Sequence, residues 1–245
     1  MDRLDVIDWH THILPNVDDG SRDVSESAEL LRMLFAQNVR TVIATPHFYA
    51  DIESAQEFLK RRARSYDKLM EAISSESEMP RILLGAEVKY YPGISVSDAL
   101  FDLCIQGTRL LLLEMPFSEW TEYTLRELEA LAGAKGITVV LAHIDRYFSL
   151  QRQDIWRRLR DDGIRMQMNA DFLSDFRTRR KALDLLDRGF AHMIGSDCHN
   201  VASRPPSIDR AYGVIGRKRG EDLVRQMQEY GHFLLERNTC FQKGF

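Results

Sequence analysis

The sequence predicts an α/β protein built on a parallel sheet, and a closed barrel rather than an open sheet. Three observations predict it. Short apolar, strand-like runs alternate with amphipathic helical stretches along the whole chain. No Pro/Gly/Ser-rich linker or low-complexity tract divides the 245 residues, so residues 1–245 read as one domain, a size common among α/β barrels. Nearly every strand-like run also ends in a histidine or a carboxylate. Parallel α/β folds assemble their sites beyond the carboxyl ends of the strands. An open doubly wound sheet fits the alternation equally well; the recurrence of polar ends favours the barrel.

The first strand is read at Asp5 to His10, where Val6, Ile7 and Trp9 supply β-branched and aromatic character. A helix follows around Ser25 to Gln37, with Ala28, Leu31, Leu34 and Phe35 at helical spacing. TVIAT (41–45) is the second strand, and a long charged helix runs from about Ala55 to Ser74. RILLGAEV (81–88) is the third strand and RLLLLE (109–114) the fourth, before a helix around Thr124 to Lys135 with Gly136 as its expected C-cap. TVVLAH (138–143), RMQMNA (165–170) and HMIGSD (192–197) complete seven strands. Helices near 152–161, 175–188 and 208–218, and a last one over 221–237, complete the pattern.

Bulk properties exclude several classes. Hydrophobic residues at 44% and charged residues at 29% argue against disorder. A net charge of −4 and a pI near 6.0 give no general attraction to nucleic acid or anionic membrane. The basic clusters LKRRAR (59–64) and RTRRKA (177–182) are read as solvated helix faces. No apolar run reaches membrane-spanning length, and the charged N-terminus has no signal-peptide core. Cys104, Cys198 and Cys240 are odd in number and lack C-x-x-C spacing, which suits a reducing cytoplasm.

The polar strand ends carry the functional reading. The first strand leads to His10 and His12, the second to His47, the third to Glu87, the fourth to Glu114, the fifth to His143, and the last to Asp197 and His199. A lone His-x-His is as often a pair of loop histidines; recurrence at six of seven strand ends is hard to obtain by accident. Asp19, with Asp18 as its competitor, joins from the first loop, where Gly20 supplies the turn. Five histidines and four carboxylates form a mixed N/O donor set suited to zinc, manganese or iron. Two divalent ions would about match the four carboxylates. Three would leave positive charge to stabilise a hydroxide and attract a phosphate, which points to a polynuclear hydrolytic site. Arg146 and Arg204 follow ligand-bearing ends and are read as phosphate-binding guanidiniums. His192, His232, Arg210 and Tyr212 are given structural or surface roles. Phe48, Tyr49, Tyr90, Tyr91, Phe117, Trp120, Tyr147 and Phe148 gather after the strand ends; packing is their default reading, an aromatic cleft the alternative.

Taken in order, HTHILPNVDDG, ATPHFY, GAEVKYYP, LLLEMPF, LAHIDRY and SDCHNVASRPP resemble the PHP (polymerase and histidinol phosphatase) superfamily, and within it the bacterial capsule and exopolysaccharide protein-tyrosine phosphatases. The resemblance implies a distorted seven-stranded (β/α) barrel with a cluster of generally three divalent ions, often manganese, with iron, zinc or cobalt as alternatives. It implies that His10, His12 and Asp197 hold the first ion, that Glu87 bridges to a second completed by Glu114 and His143, and that Asp19, His47 and His199 hold the third. Arg146 and Arg204 match phosphate-binding positions. Trp9, Asp145 (where glutamate is common) and Cys198 depart from the pattern without removing a ligand.

The implied activity is cytoplasmic hydrolysis of phosphotyrosine by a metal-activated hydroxide. The implied substrate is the tyrosine-rich tail of a bacterial tyrosine kinase of polysaccharide export. The rivals are a histidinol-phosphate or other small phosphoester phosphatase, and a non-catalytic metal-binding regulatory module. Cys198 and Arg204 also have the C-x5-R spacing of cysteine-dependent phosphatases, but HNVAS between them lacks glycine, and Pro205 and Pro206 remove two N–H donors. That spacing is read as coincidence.

Overall fold

Residues 5–238 are described by a computed structural model, so Cys240 lies outside the described residues. In chain order the elements are β1 (Val6–Thr11), α1 (Val24–Ala36), β2 (Val39–Ala44), β3 (His47–Phe48), α2 (Ala55–Ala72), β4 (Arg81–Leu84), β5 (Glu87–Lys89) and α3 (Leu100–Leu103). They continue with β6 (Leu110–Glu114), α4 (Glu122–Gly133), β7 (Thr138–Leu141), α5 (Gln153–Asp161), β8 (Arg165–Asn169), α6 (Ala170–Ser174), α7 (Arg179–Asp187), β9 (Met193–Gly195), α8 (Ile208–Arg219) and α9 (Glu221–Arg237).

Every strand pairing is parallel. β1, β2 and β4 form one ladder, and β3, β5, β6, β7, β8 and β9 another. The two are continuous in chain, because β2 runs into β3 across Thr45-Pro46 and β4 into β5 across Gly85-Ala86. Pro46 has no N–H to give a ladder, but its carbonyl accepts from Glu87 N at 3.1 Å, and Gly85 N reaches Ala44 O at 2.8 Å. The run expected as a single strand over 81–88 is therefore broken at its glycine. Beyond β9, Asp197 N donates to His10 O (2.8 Å) and His12 N to Cys198 O (2.9 Å). The mixed α/β fold is thus a parallel sheet curled until its last strand returns to its first.

Side-chain alternation sorts the strands into two apolar layers. Ile7, Trp9, Ile43, Leu83, Leu110, Leu112, Val140 and Met193 pack inside the curl, closed by Leu234 of α9. Val6, Val42, Ile82, Leu111, Leu113, Val139, Leu141 and Met166 face the surrounding helices. Apolar side chains fill both layers, and the candidate ligands collect at or just past the carboxyl ends of the strands.

The helices start where their caps dictate. Asp23 accepts from Glu26 N at the start of α1, Ser54 and Glu57 form a reciprocal capping box on α2, and Thr121 accepts from Thr124 N on α4. α4 ends at Gly133 with Ala134 as its cap; Gly136, expected there, instead takes φ +61° in the turn to β7. The short helix α6 begins at once from the end of β8, where the sequence pattern gave only a strand. Among the described residues no helix is long and apolar enough to cross a membrane.

Candidate metal centre

The first strand supplies two candidate ligands through an irregularity. Asp8 pairs with Val42 and Thr11 with Ala44, so β1 advances three residues against two of β2, the signature of a bulge. Asp8, fully buried, pins the distortion by accepting from Ser196 N (2.7 Å) and His10 N (3.3 Å). His10 Nε2 and His12 Nε2 then lie 3.1 Å apart.

Glu87 is the centre of the cluster. Its Oε2 is 3.1 Å from His10 Nε2, 3.3 Å from His12 Nε2 and 3.1 Å from His47 Nδ1, and its Oε1 is 2.7 Å from His143 Nε2. Glu114 lies 3.6 Å from His143 Nε2. Asp19 Oδ1 faces His47 Nε2 at 3.5 Å and His199 Nε2 at 3.4 Å. Asp197 Oδ1 faces His12 at 3.4 Å and His10 at 3.7 Å. Burial pushes the Glu87 carboxyl up, but the surrounding histidines, His10 foremost, outweigh it and hold it well below the usual range. Glu114 is pushed up to about 7 by its burial and by the charge of Glu87.

The donor atoms fall into three groups that could each hold a cation: His12, Asp19, His47 and His199; His10, His12 and Asp197; and His47, Glu87 and Glu114. His12 and His47 each belong to two groups. His143 sits beside the third group, within reach of both its carboxylates. Asp18, the competitor of Asp19, is placed behind the cluster: it accepts from His12 Nδ1 (2.7 Å), His47 N (2.9 Å) and Gly20 N (3.0 Å).

The histidines are aimed from behind. With Nε2 left bare for a cation, the Nδ1–H of His12 donates to Asp18, that of His10 to Gln167 Oε1 (3.1 Å), that of His143 to Tyr147 Oη (3.1 Å) and that of His199 to Asp197 O (2.9 Å). Tyr147 in turn donates to Ala142 O. Such outer partners fix the tautomer and orientation of metal-ligating histidines. Among the described residues, three buried atoms at the centre, Glu87 Oε2, His47 Nδ1 and His199 Nε2, have no partner in hydrogen-bonding geometry, although the first two face each other at 3.1 Å. Leaving one such atom unpaired costs about 1–3 kcal/mol, so three together fit a site whose cations complete their coordination.

Gln167 and Asn169 were not among the expected site residues. They come from β8, the one strand of the expected seven at whose end no ligand was expected. Gln167 Oε1 also accepts from His143 N (2.7 Å), and its Nε2 donates to Asn169 Oδ1, while Asn169 Nδ2 holds Asp197 Oδ2 at 2.9 Å. Their only sequence signal is a pair of amides alternating with methionines in a strand flanked by ligand-bearing strands.

Arg146 and Arg204 both reach the site and both grip Asp197 Oδ2, at 2.5 and 2.7 Å. They line a cleft of about 600 Å³ with Asn169, Asp197 and Phe172. The cysteine arrangement is not assembled there: Cys198 is fully buried, and burial pushes its thiol up to about 12. Of the aromatic residues, Phe48, Trp120 and Tyr147 are core, whereas Tyr49 stacks 5.3 Å from His47 and Phe117 stands exposed above Tyr147. His192 and His232 lie away from the cluster; His232 faces Asp5 O and His192 faces Met166 N.

This chain is 29% identical over 243 residues to the tyrosine-protein phosphatase YwqE of Bacillus subtilis, covering 97% of this chain and 94% of that one. To the tyrosine-protein phosphatase CpsB of Streptococcus pneumoniae it is 30% identical over 240 residues, with coverages of 91% and 94%. A solved structure from work on YwqE and CpsB, described as unique metal-dependent tyrosine phosphatases, matches with a TM-score of 0.84 at 26% identity over 96% of each chain. The family model for capsular polysaccharide synthesis, CpsB/CapC, matches residues 6–231, and the chain belongs to that family.

Proposed function

We propose that this chain is a metal-dependent protein-tyrosine phosphatase, a single domain whose nine clustered side chains hold divalent cations. The observation that carries the reading is the convergence of partnerless buried ligand atoms on Glu87, next to two arginines. Similarity to tyrosine phosphatases across nearly the whole chain supports the substrate class. Counting β2 with β3 and β4 with β5 as interrupted strands gives seven, the distorted PHP barrel. His10, His12 and Asp197 would hold one of three ions, Glu87, Glu114 and His143 a second, and Asp19, His47 and His199 a third, manganese foremost with iron, zinc or cobalt as alternatives. His12 and His47, which each belong to two donor groups, could serve neighbouring sites.

When bound, the cations supply Lewis acidity, lowering the pKa of water and offsetting phosphoryl charge. The chain supplies the rest. Arg146 and Arg204 exchange Asp197 for the phosphoryl oxygens, a fork-shaped donor set suited to that geometry. Asn169 keeps hold of Asp197 while they do so. Tyr49, stacked beside His47, and the exposed Phe117 would receive the tyrosyl ring. Buried and protonated, Cys198 offers no thiolate for a covalent phosphoenzyme. The protein substrate is a bacterial tyrosine kinase of polysaccharide export, met in the cytoplasm.

The test is metal analysis of the purified protein alongside hydrolysis of a phosphotyrosyl peptide and of histidinol phosphate, with and without chelator. Chelator-sensitive turnover favouring the peptide is expected. Preference for histidinol phosphate would move the substrate to a small phosphoester. Loss of all turnover with metal fully restored would leave a regulatory module.

A further inference from the structure

A second cleft, also of about 600 Å³, lies between α2 and the loop that carries Asp18 and Asp19. Lys60, Arg61, Arg64 and Lys68 face it against two carboxylates, Asp23 and Glu57. Both carboxylates are engaged as helix caps, Asp23 with Glu26 N and Glu57 with Ser54. Lys60, Arg64 and Lys68 are exposed, and among the described residues none lies within ion-pair distance of a carboxylate, Glu57 acting on Lys60 at longer range. At spacings of four they lie in one row along the helix. Solvation explains any one exposed lysine; four cations against two carboxylates lining a concavity, on a chain whose net charge is −4, are a local reversal of the molecule's charge.

The cleft is tied to the metal centre through that loop. Arg61 donates to Val17 O, and Ser65 Oγ to Pro15 O at 2.7 Å. One or two residues on, Asp18 and Asp19 reach His12, His47 and His199. Lys60 to Lys68 spans about 12 Å of helix, the length of about four residues of extended polypeptide.

We infer that this cleft is a docking site for an anionic stretch, phosphorylated or acidic, of the same polypeptide whose phosphotyrosine occupies the metal centre. The inference rests on the phosphatase reading for the identity of that polypeptide. A concave cleft suits a peptide better than a flat membrane.

The test uses the full chain with its metals and the double variant Arg64→Glu/Lys68→Glu. Its substrates are two phosphotyrosyl peptides of equal length, one with four acidic flanking residues and one with neutral flanks, and p-nitrophenyl phosphate. Wild type should favour the acidic peptide by about fivefold to tenfold in kcat/KM at low salt, a preference that fades as salt screens it. The variant should lose that preference while hydrolysing p-nitrophenyl phosphate normally. No preference in wild type, an unchanged preference in the variant, or an equal fall on all three substrates would overturn the inference. Should wild type hydrolyse none of them, the phosphatase reading fails separately, and titration of the acidic peptide then decides the cleft: weaker binding by the variant supports it, and equal binding overturns it. Charge-dependent binding to phosphatidylserine vesicles without binding to the peptide would also overturn it.

Discussion

Gln167 does as much for the centre as a ligand would, without touching a cation. Its carbonyl oxygen orients His10 and anchors the backbone of His143, and its amide reaches Asp197 through Asn169. Gln167→Ala should weaken metal affinity about 10–100-fold, read by metal titration, with activity recovered in excess metal. Activity lost with metal affinity intact would give Gln167 a different role. Cys198→Ser should retain most turnover and chelator sensitivity, because the buried thiol, pushed up to about 12, supplies no thiolate near neutral pH. A folded, fully metallated but inactive serine variant would reopen the cysteine mechanism. The clustering of the nine expected side chains was legible because histidine and carboxylate are rare after apolar runs, and their recurrence compounds. Gln167 and Asn169 were not, since neutral amides have ordinary uses everywhere. The choice between Asp18 and Asp19 was equally illegible, because neighbouring aspartates differ only in the direction the loop turns them.

Element by element, the alternation of strands and helices was readable because strand and helix periods differ, whereas the interruptions were not. Pro46 and Gly85 each break a strand where the chain bends toward the cluster, and two ligands, His47 and Glu87, lie just past those breaks. His143 and Asp197 adopt left-handed conformations at φ +31° and +52°, uncommon for side chains with a Cβ and often found at functional sites. Ligand placement and backbone irregularity therefore coincide, and period-two reasoning sees only the regular part. β9 shows how tight the fit is. A Cβ on Gly195 would fall 2.6 Å from His10 Cβ and 2.8 Å from Gln167 Nε2. Gly195→Ala should lower stability by about 1–3 kcal/mol and reduce bound metal in the folded fraction. Denaturant unfolding and metal analysis check this, and a variant with wild-type metal content and midpoint would show that β9 can shift without disturbing His10.

Across the whole molecule, the ligands gather at the carboxyl ends of the strands, and α9 closes the inside of the curl with Leu234, so chemistry and apolar packing are separated along the strand direction. His192 stands at the start of β9, the opposite end from Asp197, and couples that packing to pH. Burial, with Arg165 and Arg160 adding repulsion, lowers its pKa to about 4, and its neutral Nδ1 accepts from Met166 N at 3.2 Å. The unfolded chain titrates near the ordinary histidine value of about 6.5. Between those values the unfolded state takes up a proton that the folded state refuses. The contribution of neutral His192 is therefore complete above about pH 6.5 and is lost as pH falls toward 4, by at most about 3 kcal/mol. Asp8 and Asp145, each raised to about 6, run the other way, because protonation favours their buried folded forms. Total stability against pH thus mixes opposing groups, and only a difference between variants isolates one. His192→Asn offers an amide oxygen to the Met166 N–H and cannot titrate. Urea unfolding of the metal-free protein at pH 7 and at pH 4.5 should show a smaller loss on acidification for the variant than for wild type. Equal losses would mean that His192 already takes up its proton in the folded protein, with the Met166 N–H finding another acceptor.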